Sequence, residues 1–252
     1  MRRADAFSGG QTDLETIITE SFDESCRKAA EIILKVVADK PCCKLGLATG
    51  STAAAVYPYM VTAFEKGHAD FSHVKTINLD EYVGLSVGDP NTYRSSMDRW
   101  LFQRANFMPD NTYVADGSVD PEQEKLNFRG KVGDGADLQL LGVGPNGHIG
   151  FNEPGDHLIS GVHIETLSER TRAVNARFFK RSEDVPKRAI TMGVGDILHA
   201  RRILLLITGK NKLEATRMLL CNEEITTHCP VTLLKLHPAV TVILDRTLAE
   251  SL

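Results

Sequence analysis

Short apolar runs of strand length alternate along this chain with stretches whose apolar positions recur every three to four residues, the helical period. Glu15–Thr19 (E-T-I-I-T) reads as a first strand, and Asp23–Ala38 follows with Cys26, Ala29, Ala30, Ile33, Leu34 and Val37 at helical spacing. Lys44–Ala48 is a second strand. The helix expected after Thr52 puts Val56, Tyr59, Met60 and Phe64 on one face, and Gly67 stands where a helix C-terminus favours glycine. Val74–Leu79 is a third strand, terminating in Asp80-Glu81-Tyr82. Helices are predicted over Asn91–Phe102 and near Pro121–Gly130, with an irregular stretch rich in Pro, Asn, Asp and Gly between them. Leu138–Gly142 is a further strand, and Ala189–Val194, Arg202–Thr208 and Val240–Leu244 complete the apolar runs. Helical patterns recur at Lys212–Leu220 and, more weakly, at Val231–Leu236.

Strands alternating with helices predict an α/β protein whose parallel sheet is covered on both faces. The chain shows no internal repeat, no low-complexity segment and no linker marked by a shift in composition, so residues 1–252 read as one domain. About residues 1–13 read as a mobile leader, because the N-terminus is basic but lacks the apolar core of a secretory signal. Gly161–Lys187 is polar and basic, and about residues 167–187 of it are a candidate lid.

Composition narrows the function. With 252 residues and 42% hydrophobic content the chain can bury a sizeable core. A net charge of −4 argues against a nucleic-acid surface, and no apolar run approaches the ~20 residues that span a bilayer. The five cysteines form no C-x-x-C pair and no metal spacing, which fits reduced thiols in a cytoplasmic protein, used as small core residues. No histidine pattern such as H-E-x-x-H suggests a metal site.

Three clusters at predicted strand ends carry candidate chemistry. L-G-L-A-T-G-S-T (Leu45–Thr52) joins a strand to a helix through a Gly turn bearing Thr49, Gly50, Ser51 and Thr52, an arrangement suited to a phosphate. It has no Walker lysine and no G-x-G-x-x-G, which favours a small phosphorylated metabolite over a nucleotide; an N-cap by Ser51 or Thr52 would explain it without any ligand. Asp80 and Glu81 are either a surface cap or the source of a general base. The loop L-L-G-V-G-P-N-G-H-I-G-F-N-E-P-G (Leu140–Gly155) presents Asn146, His148, Asn152 and Glu153 at a strand end, with Glu153 near enough in sequence to orient the His148 ring. The other histidines, His68, His73, His199 and His237 among them, read as surface residues. Arg172, Arg177, Lys210 and Lys212 are candidate phosphate clamps.

The strings L-G-L-A-T-G-S-T, N-L-D-E-Y-V-G-L, N-T-Y, G-V-G-P-N-G-H-I-G-F-N-E-P, T-R-A-V-N-A-R-F-F, T-M-G-V-G-D-I-L and T-G-K-N-K occur in one order over Leu45–Asp245, and they resemble the glucosamine-6-phosphate deaminase family. The resemblance implies a Rossmann-like, three-layer α/β fold with a mostly parallel central sheet. It implies conversion of glucosamine 6-phosphate to fructose 6-phosphate and ammonia without a metal or organic cofactor. Asp80 matches the carboxylate that moves the proton between C2 and C1, His148 the group that opens the pyranose ring, and Glu153 its partner. Thr49, Gly50, Ser51 and Thr52 match the phosphate loop, and Arg177 and Lys212 the basic residues that hold the phosphate.

Two departures qualify the match. Asn146 stands where many members have an aspartate in relay with the histidine, which shifts the orienting role to Glu153 and leaves Asn146 as a hydrogen-bonding supporter. Members activated by N-acetylglucosamine 6-phosphate hold its phosphate with basic residues; His163 and Glu165 stand at the matching positions here, which predicts no such activation. Galactosamine 6-phosphate as substrate, 6-phosphogluconolactone hydrolysis and a non-catalytic sugar-phosphate sensor are the competing readings, and monomer and homo-oligomer are both open.

Overall fold

The computed structural model describes residues 14–252; the expected leader at residues 1–13 lies outside them. The elements run β1 (Glu15–Thr19), α1 (Phe22–Asp39), β2 (Lys44–Leu47), α2 (Ser51–Ala54), α3 (Tyr57–Glu65), β3 (Lys75–Asn78), β4 (Asp80–Val83), α4 (Tyr93–Trp100), β5 (Thr112–Tyr113) and α5 (Pro121–Val132). They continue with β6 (Leu138–Leu141), β7 (His163–Thr166), α6 (Glu169–Asn175), β8 (Arg188–Thr191), α7 (Val194–Leu198), β9 (Ile203–Ile207), α8 (Leu213–Leu220), β10 (Val240–Asp245) and α9 (Arg246–Ala249).

Seven strands form a parallel sheet in the order β1-β10-β9-β6-β2-β3-β5. Every residue of β6, β9 and β10 is buried, so both faces of the sheet centre are covered, as the unbroken apolar run of β9 requires. The chain builds outward from β2 through β3 to β5, and in the opposite direction from β6 through β9 to β10, beyond which β1, the first strand, holds the edge. β2 and β6 therefore flank the point where strand order reverses. The loops leaving their C-terminal ends part there and leave a crevice, the usual ligand position in open α/β sheets.

Local chemistry explains the element ends. Ser21 caps α1, its side chain accepting the Glu24 N–H, and Cys26, Ala29, Ala30, Ile33, Val36 and Val37 are buried in the core, with Leu34 half-buried against it. The single helix expected after Thr52 is two. Pro58 has no N–H to offer the Ala54 carbonyl and its ring crowds it, so α2 stops at Ala54 and α3 restarts at Tyr57. The restart buries Tyr57 and Val61 fully with Val56 and Met60, while Tyr59 and Phe64 pack against the core half-buried. Gly67 closes α3 at φ +71°, donating to Phe64 O while His68 N–H donates to Ala63 O.

A second sheet, β4-β8-β7, is antiparallel and corrects the reading of one sheet. The third strand leaves the main sheet after Leu79, whose N–H still donates to Leu47 O, and Asp80–Val83 pairs with Thr191–Arg188. The polar, basic stretch Gly161–Lys187, in which no strand was expected, contributes β7 as an edge strand of this sheet. His237 is buried, its Nε2 donating to Ala200 O at 2.7 Å, and so is not the surface residue its polar context suggested; His163 is buried as well. Cys26, Cys43 and Cys229 are core residues as expected, whereas Cys42 and Cys221 are exposed. Among the described residues, no helix is long and apolar enough to cross a membrane.

Candidate active site

A cavity of about 570 Å³ opens at the strand-order reversal, lined by the β2–α2 turn, Asp80, the loop after β6, the α6 segment and Lys212. The turn at Gly50 forms part of its wall. The φ of +113° is open to glycine and costly for other residues, while nothing lies within 4 Å of where a Cβ would sit, so conformation, not space, demands the glycine. Gly50 itself is the N-cap of α2 and no side chain caps that helix, so the alternative of capping by Ser51 or Thr52 does not hold. Thr49, Ser51 and Thr52 all line the cavity.

Arg177, in the 3₁₀ turn Ala176–Phe178 after α6, and Lys212, just before α8, line the same space. Burial lowers the Lys212 ammonium to about 8, and the Arg177 charge beside it adds to the effect. Two cations brought together where water is scarce favour an anionic ligand that restores their charge. Arg172 and Lys210 are not part of this clamp. Arg172 donates to Val185 O at 3.4 Å away from the cavity lining, and Lys210 is exposed.

The two adjacent carboxylates separate cleanly. Glu81 accepts the N–H groups of Tyr82 at 2.8 Å and of Tyr93 and Arg94 at 3.0 Å each, so it caps the start of α4. Burial pushes its carboxyl up to about 7, and the three N–H bonds pull the other way. Asp80 points into the cavity, 7% exposed, and burial together with the Glu81 charge pushes its carboxyl up to about 8. A buried carboxyl with a raised pKa on a cavity wall is the setting of a general base.

The loop after β6 folds back through Gly144 N–H to His148 O (2.9 Å) and Gly147 N–H to Gly144 O (3.0 Å). The His148 ring lies against Gly144, where a Cβ would come within 2.2 Å of Cε1, so the glycine is needed for close approach. Glu153 Oε1 lies 3.3 Å from His148 Nδ1, without the alignment of a hydrogen bond. Asn146 Nδ2 donates to Glu153 Oε2 at 2.8 Å, and its Oδ1 accepts the His148 N–H at 3.3 Å. Burial raises the Glu153 carboxyl, but His148, Thr171 and Asn146 outweigh it and hold it down at about 2. Asn152 is structural, its Nδ2 donating to Ile149 O and Met192 O at 2.9 Å each.

The fold thus brings all ten candidate residues, Thr49, Gly50, Ser51, Thr52, Asp80, Asn146, His148, Glu153, Arg177 and Lys212, to this cavity or its immediate rim. Sequence reasoning missed Thr171 and Asn175, which line it from one face of α6 at four-residue spacing, a signal hidden in a segment read only for its charge. It also missed the aromatic wall. Tyr82 packs on Tyr93 (4.8 Å between ring centroids), Phe179 (5.7 Å) and Phe151 (5.9 Å). Among the described residues, no group of three or more His, Cys, Asp or Glu is placed to hold a metal ion.

The family model for glucosamine-6-phosphate isomerases/6-phosphogluconolactonase matches residues 19–243. The chain belongs to this family. Its relatives in the glucosamine-6-phosphate isomerase/6-phosphogluconolactonase family include the glucosamine-6-phosphate deaminase of Thermoanaerobacter pseudethanolicus, 44% identical over 240 residues and 94% of each chain. The glucosamine-6-phosphate deaminase of Clostridium beijerinckii is 42% identical over 242 residues, 95% of this chain and 100% of that one. A solved monomeric glucosamine-6-phosphate deaminase superposes with a TM-score of 0.91 at 40% identity, covering 95% of this chain and 100% of the other. The 6-phosphogluconolactonase from Trypanosoma cruzi, at a TM-score of 0.76 and 18% identity, shares the fold.

Proposed function

We propose that this chain converts glucosamine 6-phosphate and water to fructose 6-phosphate and ammonia. The observation that carries the reading is one cavity holding Asp80, the His148–Glu153 pair and a clamp of Gly50–Thr52 with Arg177 and Lys212. The phosphate enters the clamp, and its remote binding energy positions the sugar. His148 takes the proton from the O1 hydroxyl and returns one to the ring oxygen, opening the pyranose, a task suited to an imidazole, which can both accept and donate a proton. The negative charge of Glu153 steadies the imidazolium formed in between.

Asp80 then removes the C2 proton to give the 1,2-enolamine and delivers a proton to C1, leaving an imine at C2. Water adds to that imine and ammonia departs, so atoms balance with no electron acceptor. Asp80 must be ionised to act as base, and the ammonium of the substrate at C2, brought beside it, favours that form. Asn146 supports the pair by holding Glu153 Oε2.

Activation by N-acetylglucosamine 6-phosphate is absent in this reading. His163 is buried with Nδ1 donating to Gly161 O at 3.0 Å and Nε2 3.4 Å from Glu165 Oε2, so neither side chain offers a free cation to a phosphate. In this reading the reaction runs in the cytoplasm, where the free cysteines would stay reduced.

Incubation with glucosamine 6-phosphate, with ammonia and fructose 6-phosphate measured, tests the proposal; equimolar release of both is expected. No product from this sugar, with turnover of galactosamine 6-phosphate or of 6-phosphogluconolactone instead, would overturn it.

A further inference from the structure

The steps above leave the buried hydroxyl of Thr171, on the cavity wall, without a task. It stands in the first turn of α6, where the N-cap Ser168 accepts its N–H at 3.1 Å. The Ser168 hydroxyl donates to Thr171 Oγ1 at 3.0 Å, and Thr171 Oγ1 donates onward to Glu153 Oε1 at 2.6 Å. That length falls in the roughly 2.5–2.7 Å range of a hydroxyl bound to an ionised carboxylate. The oxygen it reaches is the same one that faces His148 Nδ1 at 3.3 Å, while Asn146 holds the other.

This hydrogen bond joins a loop and a helix with different work. Glu153 belongs to the loop that carries His148. Thr171 belongs to the helix whose far end presents Asn175, Arg177 and Phe179 to the cavity. Phe179 packs edge-on against Tyr82, so the same segment is seated at its other end as well.

We infer that Thr171 is a positioning residue that makes the setting of Glu153 against His148 depend on α6 being docked. Phosphate held by Arg177 then fixes the segment and, through Thr171, the carboxylate behind the imidazole. The inference rests on the reading of His148 as the ring-opening group. It deepens that reading by giving the segment a part in proton transfer as well as in binding.

Thr171→Val keeps the shape and removes the donor; Thr171→Ser keeps the donor. With glucosamine 6-phosphate, Thr171→Val is expected to lower kcat roughly ten- to hundredfold, the scale for the outer partner of an oriented imidazole, with KM nearly unchanged. Thr171→Ser is expected to restore wild-type kcat. A raised KM at unchanged kcat would show that Thr171 only docks the segment, and an equally impaired Thr171→Ser would show that packing matters, not the hydroxyl; either overturns the inference. Nitrogen NMR of the unliganded protein gives a readout independent of turnover, the His148 ring signal being assigned by its loss in His148→Asn. That signal should move in Thr171→Val and coincide with wild type in Thr171→Ser, and an unmoved signal overturns the link. Wild-type protein that releases no ammonia would instead sink the functional reading, with the NMR comparison still deciding whether Thr171 acts on the ring.

Discussion

Asp80 and Glu81 are neighbours in sequence with opposite surroundings, and the difference shows how a carboxylate acquires a role. Glu81 has three backbone N–H groups to satisfy it; Asp80 faces a cavity and is destabilised as an anion by burial and by Glu81. A carboxyl that titrates at about 8 when folded and at about 4 when unfolded binds its proton more tightly in the folded state. Its contribution to stability is therefore neutral below about pH 4, falls as the pH rises from 4 to 8, and stays low above. Asp80→Asn should raise the melting temperature at pH 8.5 and leave it unchanged at pH 4, and it should cut exchange of the substrate C2 proton by at least ~10²-fold. Equal melting temperatures at pH 8.5, or full exchange, would contradict the role assigned to Asp80.

At the scale of elements, the site depends on short pieces held at their ends. Glu81 anchors the start of α4, which brings Tyr93 into the aromatic wall. Removing the cap strands buried donors at about 1–3 kcal/mol each, so Glu81→Ala should cost at least ~2 kcal/mol, a fall of roughly 4–8 °C in Tm by calorimetry. An unchanged Tm would mean that the cap is replaceable by water. The α6 segment is tied by Thr171 to Glu153 and by Phe179 to Tyr82. We propose that it acts as a lid over residues 167–187, and a phosphorylated ligand should then slow proteolysis within it; equal cleavage rates with and without ligand would count against closure.

The whole molecule decides which cations meet. Lys212 and Arg177 are 35 positions apart in the sequence and come together only because β9 and the α6 segment both end at the crevice. With its ammonium lowered to about 8, Lys212 is largely neutral at pH 8.5 in the unliganded protein. A dianion in the clamp favours the charged form, so binding of inorganic phosphate at pH 8.5 should take up protons. Calorimetry in two buffers of different ionisation enthalpy reads that uptake, and Lys212→Met should abolish it. Identical heats in both buffers for the wild type would refute the coupling.

The sequence by itself determined the alternation of apolar strands with amphipathic helices, the glycine that the Gly50 turn requires, and the strings that carry the family resemblance. These are local properties, set by side-chain period and by backbone conformations open only to glycine. Where β4 and β8 pair was not legible, because a short apolar run looks the same whether its partner is parallel or antiparallel. Only the tertiary structure divided the work between Asp80 and Glu81, excluded Arg172 and Lys210 from the clamp, and placed Thr171 on Glu153. Each of these depends on which groups a side chain meets across the fold, and burial and hydrogen-bond partners are not encoded in the spacing of neighbours.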